Sequence, residues 1–549
     1  MATAPTRIKL TLLSVRNLWR LITGTKRGML GVTVIAIFIP IALFGPMTTS
    51  LDPLAPLWPG EYPAGSPLAA HELCVPAWYR ILPGGADAYS ENMEAIADYK
   101  FSSDPFTPTS KWSWGSDSPD EITVAYNSTK GTSNDGAIEV SYHTESSAIN
   151  PKKANVTLSY SFIYPFKVPP QRFWIHHSFF AEGALSESLK ATMELAFHRR
   201  DSSRLANYTY PERDPDTRQR LITQEGSLWV YEYPLTSYPY VSNTSAWLSA
   251  WTRSTKTEIW DNLKWQWKSE AVIFPRNGNY TLDVKLQFAD RGGGGKNVKV
   301  YLDNINVLIY GSAFGPLGTS DASMGSPRDL YTALIYGARI SVIVGLLVAF
   351  MSVFLGLFVG ITAGYTGGWT DEILMRLADF LIGLPGLPLL IVLAFILSPS
   401  ILNVVFILAF MGWMGFSRSV RSVTLSLRER AFVEAAKASG SGRGRILGRH
   451  IVPNVMPLVY LALATTVPAA IVAEASLSFL GLFDPMLMTW GRLLNEFARS
   501  GIAVTKGFTE YWFWVLPPGI AIAALAISFI LIGYSLDETL NPRLRRQRR

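Results

Sequence analysis

The chain predicts an α-helical membrane protein of six spans that carries an all-β domain inserted after the first span. Three observations carry this: apolar runs of membrane length, a long intervening segment with period-two patterning, and basic charge placed beside the runs. Of the 549 residues 48% are hydrophobic, yet the mean hydropathy is only +0.18. Apolar and polar regions are therefore segregated, and the length allows three domains.

A bilayer core needs about 20 apolar residues in a helix. Runs near that size fall at about Met29–Met47, Ile340–Ala363, Leu377–Leu397, Ile401–Phe416, Val455–Phe479 and Tyr511–Tyr534. Arg16, Arg20, Lys26 and Arg27 precede the first. A signal peptide shares that order, but no small-x-small site follows, so an uncleaved span with a cytoplasmic N-terminus is expected. Six crossings return the arginine-rich end, Arg543–Arg549, to the same side. The expected domains are residues 1–53, 54–311 and 312–549, with 54–311 extracytoplasmic in a multi-pass plasma-membrane protein.

Residues 54–311 alternate apolar and polar at Val156–Phe162, Leu189–Phe197, Leu282–Phe288 and Val298–Leu302. This is the pattern of strands with one buried face. Turns at Asp201–Arg204 and Asp290–Gly295 suit hairpins, so a sandwich or jelly roll is expected. Segment Val300–Val307 is similar to the last strand of galactose-binding-like jelly rolls. Eleven of the 17 tryptophans lie in this insert. They fit core filling, with stacking on sugar rings as the alternative. Asn127, Asn155, Asn207, Asn243 and Asn279 each precede Ser or Thr at the second position and are candidate N-glycosylation acceptors.

Catalytic and metal chemistry find no support. Gly295-Lys296 lacks the remainder of a phosphate-binding loop, His71-Glu72 lacks a second His, and His176-His177 on a strand would point to opposite faces. Cys74 is the only cysteine. No cofactor is expected. The net charge of +7 reflects basic residues beside spans, which argues against nucleic acid. Glu474 lies inside an apolar run, where an ionisable group is costly; it suits either the transport pathway or the capping of neighbouring helix ends.

The stretch Glu434–Pro453 is basic and Gly-punctuated, between two apolar runs. Arg418, Arg421, Arg428, Arg430, Lys437, Arg443, Arg445 and Arg449 have only Glu429 and Glu434 as neighbouring acids. Ala435 and Ala436 allow close approach, Gly440 permits a backbone break, and Pro453 sits where a new helix would start. The order Glu434-Ala435-Ala436, Gly440, Pro453 resembles the EAA loop of ABC importer permeases, and His450-Ile-Val-Pro-Asn454 resembles their peptide-transporting branch. Leu51-Asp-Pro53, Pro316–Thr319, Arg328-Asp329, Gly337–Ser341, Gly364–Arg376, Ala473–Leu482, Trp490-Gly491, Leu516–Gly519 and Asn541–Leu544 extend the resemblance over residues 1–53 and 312–549. It departs at Ser320–Pro327, which is longer and less regular, and in the insert.

The resemblance implies a type I ABC importer permease fold, in the second (C-type) subunit of a dipeptide, oligopeptide or nickel importer. Glu434, Ala435, Ala436, Gly440, His450 and Pro453 would couple the chain to separate ATPase subunits. The implied partners are two such subunits, a second homologous permease, an extracytoplasmic substrate-binding protein and membrane lipid. Peptide is the expected cargo, with oligosaccharide or nickel as alternatives. A membrane-anchored carbohydrate-binding or adhesion protein, or a channel or secondary transporter, are the other classes; five further spans exceed what an anchor needs.

Overall fold

The computed structural model describes residues 19, 22–49, 51, 53, 73–96, 101–132, 136–145, 152–201, 222–238, 247–253, 273–320 and 327–540, apart from 109, 184, 186, 187, 226, 227, 293, 294, 398, 399, 506 and 508. The chain divides into two compact units, Met1–Pro56 with Ser320–Arg549, and Leu57–Thr319.

The helical unit contains α1 (Lys26–Phe44), α2 (Leu330–Thr366), α3 (Gly368–Gly383), α4 (Gly386–Ile396), α5 (Ile401–Arg428), α6 (Ala431–Ala438), α7 (Arg443–Phe479), α8 (Trp490–Ser500) and α9 (Trp512–Leu540). Among the described residues five helices are long and apolar enough to cross a membrane: α1, α2, α5, α7 and α9. The expected span Leu377–Leu397 is instead a pair, α3 and α4, bent by 95° at the break. Pro385 explains the bend. It biases the preceding Leu384 toward extended backbone, observed at φ −77° and ψ 142°, and it lacks a donor for the helical ladder. Counting the pair as one span gives up to six.

Small residues set the helix contacts. A Cβ on Gly360 would meet the Ser417 carbonyl at 2.5 Å, and one on Gly364 would meet the Arg421 carbonyl at 2.8 Å. α2 and α5 therefore pack with their backbones close, as membrane helices do where no hydrophobic effect drives them together.

The second unit is a β-sandwich of two antiparallel six-stranded sheets. One has the order β10-β6-β12-β4-β3 with β1 also on β12: β1 Met93–Glu94, β3 Ile122–Asn127, β4 Ala137–Thr144, β6 Arg172–Gly183, β10 Leu248–Arg253 and β12 Lys296–Tyr310. The other runs β2-β5-β11-β7-β9-β8: β2 Trp112–Ser116, β5 Lys152–Tyr164, β7 Leu189–Asp201, β8 Ile222–Glu225, β9 Leu228–Tyr238 and β11 Gly278–Asp290. The period-two residues face inward as expected. Val156, Leu158, Tyr160 and Phe162 on β5 pack with Leu282, Val284, Leu286 and Phe288 on β11 in a single core.

The segment 290–295 is not a hairpin. β11 and β12 lie in different sheets, so it crosses between them. Asp290 anchors the crossing, accepting from Gly292 N at 2.8 Å and pairing with Lys296. The turn after Asp201 lies outside the described residues. In β12 the strand breaks step at Asp303–Asn306, where Asn304 has φ +53°. Asn is among the few residues that tolerate this conformation.

The aromatics divide between core and surface. Trp112 lies in the core cluster with Phe101, Tyr142 and Phe274, and Trp174 is fully buried, whereas Trp78 and Trp114 are exposed. His176 and His177 on β6 are both buried. His177 alternates with the core residues Ile175 and Phe179 and stacks on Phe179, which puts His176 on the opposite face. Among the described residues no group of three His, Cys, Asp or Glu could hold a metal.

Of the candidate acceptors, Asn127 donates through Nδ2 to Glu139 at 2.8 Å, and Asn155 to Asp117 at 2.7 Å from near the start of β5. Asn279 is exposed at the start of β11. Asn207 and Asn243 lie outside the described residues.

Candidate coupling site

α5 carries its helix well past the apolar run, to Arg428, and delivers the chain to the short helix α6. The burial of α6 is one-sided. Val433 is fully buried and Ala436 partly so, against Val420, Ile446, Ile451 and Val455. Glu434, Ala435 and Ala438 face outward. Two small residues at 435 and 436 leave the outer surface of α6 low and smooth. The exposed Phe432 sits beside it, its ring centroid 6.0 Å from that of His450.

The helix ends at a Schellman turn. Gly440 has φ +73°; its N–H donates to the Lys437 carbonyl at 2.9 Å and Ser441 N–H to the Ala436 carbonyl at 3.0 Å. That pair of bonds is the usual way of satisfying the last carbonyls of a helix, and it requires a left-handed residue where Gly440 stands. The break expected at this glycine is thus a defined cap.

The basic residues around α6 do more than balance charge across a membrane. Arg421 makes a two-pronged pair with Asp371 of α3, Nε to Oδ1 at 2.5 Å and Nη2 to Oδ2 at 2.6 Å. Arg418 pairs with Asp379. Arg428 donates to the Tyr365 carbonyl at 3.2 Å, and Lys437 lies 5.9 Å from the Tyr365 ring centre. The acids Glu429 and Glu434, nearest in sequence, are not the ones these arginines use.

Pro453 does not begin a helix. The helix starts at Arg443 and runs unbroken to Phe479, with a wide π turn over Leu447–Ile451. The π turn explains how a proline fits. Its ring would clash with the carbonyl four residues back in a regular helix; here Val452 N–H reaches the Leu447 carbonyl, five residues back. The His450 carbonyl accepts from the Asn454 side chain at 2.7 Å. Asn454 thus supplies, from its side chain, a donor one residue after proline has removed one.

Glu474 is buried on α7. Ser478 Oγ donates to it at 2.7 Å, with Thr489, the cap of α8, alongside. α8 sits tight on α7 there, since a Cβ on Gly491 would meet the Ala475 carbonyl at 2.4 Å. The open groove of the unit lies elsewhere, between α5, α7 and α9. It measures about 910 Å³ and is mostly apolar, with Ser419, Thr465, Thr466 and Asp537 as its polar lining. Glu474 is not part of it.

One cluster escaped sequence reasoning. Arg328, just before α2, and Arg492 on α8 share the buried carboxylate of Glu496, at 3.4 and 3.2 Å. Arg328 also donates to the Pro53 carbonyl, and Arg492 to those of Pro485 and Leu487. Arg328 and Pro53 belong to separate matched motifs, and Arg492 directly follows Trp490-Gly491. Arg328 thus joins an i,i+4 pair on α8 that is remote from it in sequence, and the three form one charged cluster.

Comparison with known proteins agrees with this architecture. Residues 353–546 match the family described as binding-protein-dependent transport system inner membrane component. The dipeptide transport system permease protein DppC of Bacillus subtilis is 35% identical over 220 residues, covering 40% of this chain and 67% of that protein. OppC, the oligopeptide transport system permease of the same organism, is 34% identical over 42% of this chain and 72% of its own length. A putative peptide permease of Brucella ovis is 37% identical over 40% and 71%. Among solved structures, the inward-facing MetNI methionine ABC transporter overlaps 37% of this chain and 96% of its own at 14% identity and TM-score 0.28. The carbohydrate-binding module TmCBM61 with β-1,4-galactotriose overlaps 39% and 97% at 10% identity and TM-score 0.19. Both scores are too low to carry an argument. On its sequence relatives, the chain belongs to the binding-protein-dependent transport system inner membrane component family, the permeases of ABC importers.

Proposed function

We propose that the chain is the C-type permease of an ATP-driven importer of peptides, forming half of the pathway and taking its energy from ATPase subunits through α6. The observation that carries the coupling role is the one-sided burial of α6, with Val433 inward, Glu434 and Ala435 outward, and the cap at Gly440. A short helix held on the ends of two spans can pass a push into both. The dipeptide and oligopeptide names of the relatives favour peptide cargo. The groove between α5, α7 and α9 would face a second, homologous permease, and two ATPase subunits would sit beneath the pair. Both termini would be cytoplasmic, and the β-sandwich would lie outside, where it would help to dock a substrate-binding protein.

Copurification tests the coupling. The tagged chain, expressed with its ATPase subunits, should retain them, and Glu434→Lys should release them or abolish substrate-stimulated ATP hydrolysis while the spans stay folded. Normal retention and normal stimulated hydrolysis in that variant would overturn the assignment.

A further inference from the structure

A second cleft of the helical unit, about 660 Å³, shares no lining residue with the large groove. It is formed by the segment that follows α1 (Thr49, Leu51, Pro53), by Tyr336, Arg339, Ile340 and Ile343 on α2, and by Met486–Met488. The four α2 residues recur at positions i, i+3, i+4 and i+7 and so share one face. Arg339 stands inside a membrane-length helix and is exposed. Among the described residues it has no hydrogen-bond or ion-pair partner, and none of the ten residues lining the cleft is acidic. An unneutralised cation set against apolar lining favours an anionic partner.

Depth identifies where the counter-charge comes from. At about 1.5 Å per residue, Arg339 lies about 40 Å along α2 from Thr366, the cytoplasmic end in the topology proposed above on which this inference rests, against a hydrocarbon core of about 30 Å. Thr49 Oγ1, beyond the far end of α1, bonds Thr332 Oγ1 at 2.8 Å, which places Arg339 about 10 Å inward of that level. A guanidinium there reaches the outer headgroup layer by extending its side chain, and Tyr336 beside it is the aromatic expected at such an interface. Just before the 49–53 segment, Leu43 and Phe44 at the end of α1 and Met47 after it are exposed, an apolar surface of the kind that lipid chains cover. Ile343 and Met486 are also exposed and extend the apolar floor.

We propose that this cleft holds one phospholipid of the outer leaflet. Its phosphate pairs with Arg339, with the hydroxyl of Tyr336 as a neighbouring donor. One acyl chain runs along Ile340, Ile343 and Met486. The bound lipid supplies the charge that Arg339 lacks and fills the cleft between α2, the 49–53 segment and Met486–Met488.

Native mass spectrometry of the full-length chain, purified in detergent and titrated with phosphatidylglycerol, tests this. Wild type should retain one lipid against delipidation that Arg339→Gln loses, with affinity falling about tenfold, as expected for a charged hydrogen-bonding contact. Ile343→Trp keeps the charge and fills the apolar floor, and should also lower retention. This second variant guards against misfolding of the first. Millimolar inorganic phosphate should not displace the lipid; if it competes fully, the site binds free anions and the lipid assignment is wrong. Equal lipid retention in wild type and both variants would likewise overturn it, as would Arg339→Gln raising the KM for peptide uptake with lipid retention unchanged, since the cleft would then serve substrate.

Discussion

Substituting Gly440 separates backbone geometry from bulk at the coupling turn. An added Cβ would meet nothing within 4 Å, so Ala cannot clash with the chain itself. What remains is the left-handed backbone at φ +73°, which costs a residue with a Cβ about 1–2 kcal/mol. Energies of that size change a population by a factor of about 5–30, enough to leave the turn and its two capping bonds mostly unformed if α6 is only marginally held. Asn tolerates the conformation best among residues with side chains, and a β-branched residue tolerates it worst. The series Asn, Ala, Val should therefore lose coupling in that order, read as substrate transported per ATP hydrolysed by the complex in liposomes. An order set by size, with Ala milder than Asn, would refute the conformational argument and point to contact with the ATPase instead. Equal coupling in all three would show that the cap is not needed.

Two further outcomes follow from buried charge. Glu496→Gln leaves the guanidinium groups of Arg328 and Arg492 without their shared carboxylate, and should destabilise the full chain by about 3–5 kcal/mol; a melting temperature equal to wild type would contradict the cluster's role. In the sandwich, burial pushes His176 down to about 4 and His177 down to about 3. The unfolded chain takes up protons below about pH 6.5, so stability should fall as pH drops from about 6.5 toward 4. The slope is at most about 1.4 kcal/mol per pH unit for each histidine. Residues 57–319 expressed alone should melt lower at pH 5 than at pH 7, and His176→Gln with His177→Gln should flatten the difference. A pH-independent melt of the wild-type domain would contradict the burial.

The β-sandwich was legible because each strand buries one face, and a period of two survives in residues such as Val156–Phe162 whatever lies opposite. Which sheet each strand joins was not legible. The glycine-rich segment 290–295 has the composition of a hairpin turn, and composition does not say whether a chain reverses within a sheet or passes to the next. Around α6 the helix, its outward Glu434 and its glycine cap follow from local chemistry. The partners of the arginines do not, since Asp371 and Arg421 are 50 residues apart and nothing in either neighbourhood names the other. Pro385 was a visible warning of the bend between α3 and α4, outweighed by an apolar run long enough to suggest one straight span.

A π turn holds one residue more than the α-helical turn it replaces. Each residue of an α-helix turns the chain by about 100°, so the wide turn at Leu447–Ile451 offsets the faces of Arg443–Ile446 from those of the membrane part of α7 by about that angle. Deleting any one residue of the turn would tighten it into regular helix. It would swing α6 around the axis of α7 by roughly a quarter of a revolution and drive the ring of Pro453 into a carbonyl. The length of this loop is therefore under tighter constraint than its composition: many single substitutions leave the handle pointing the right way, and no single deletion between 447 and 451 does.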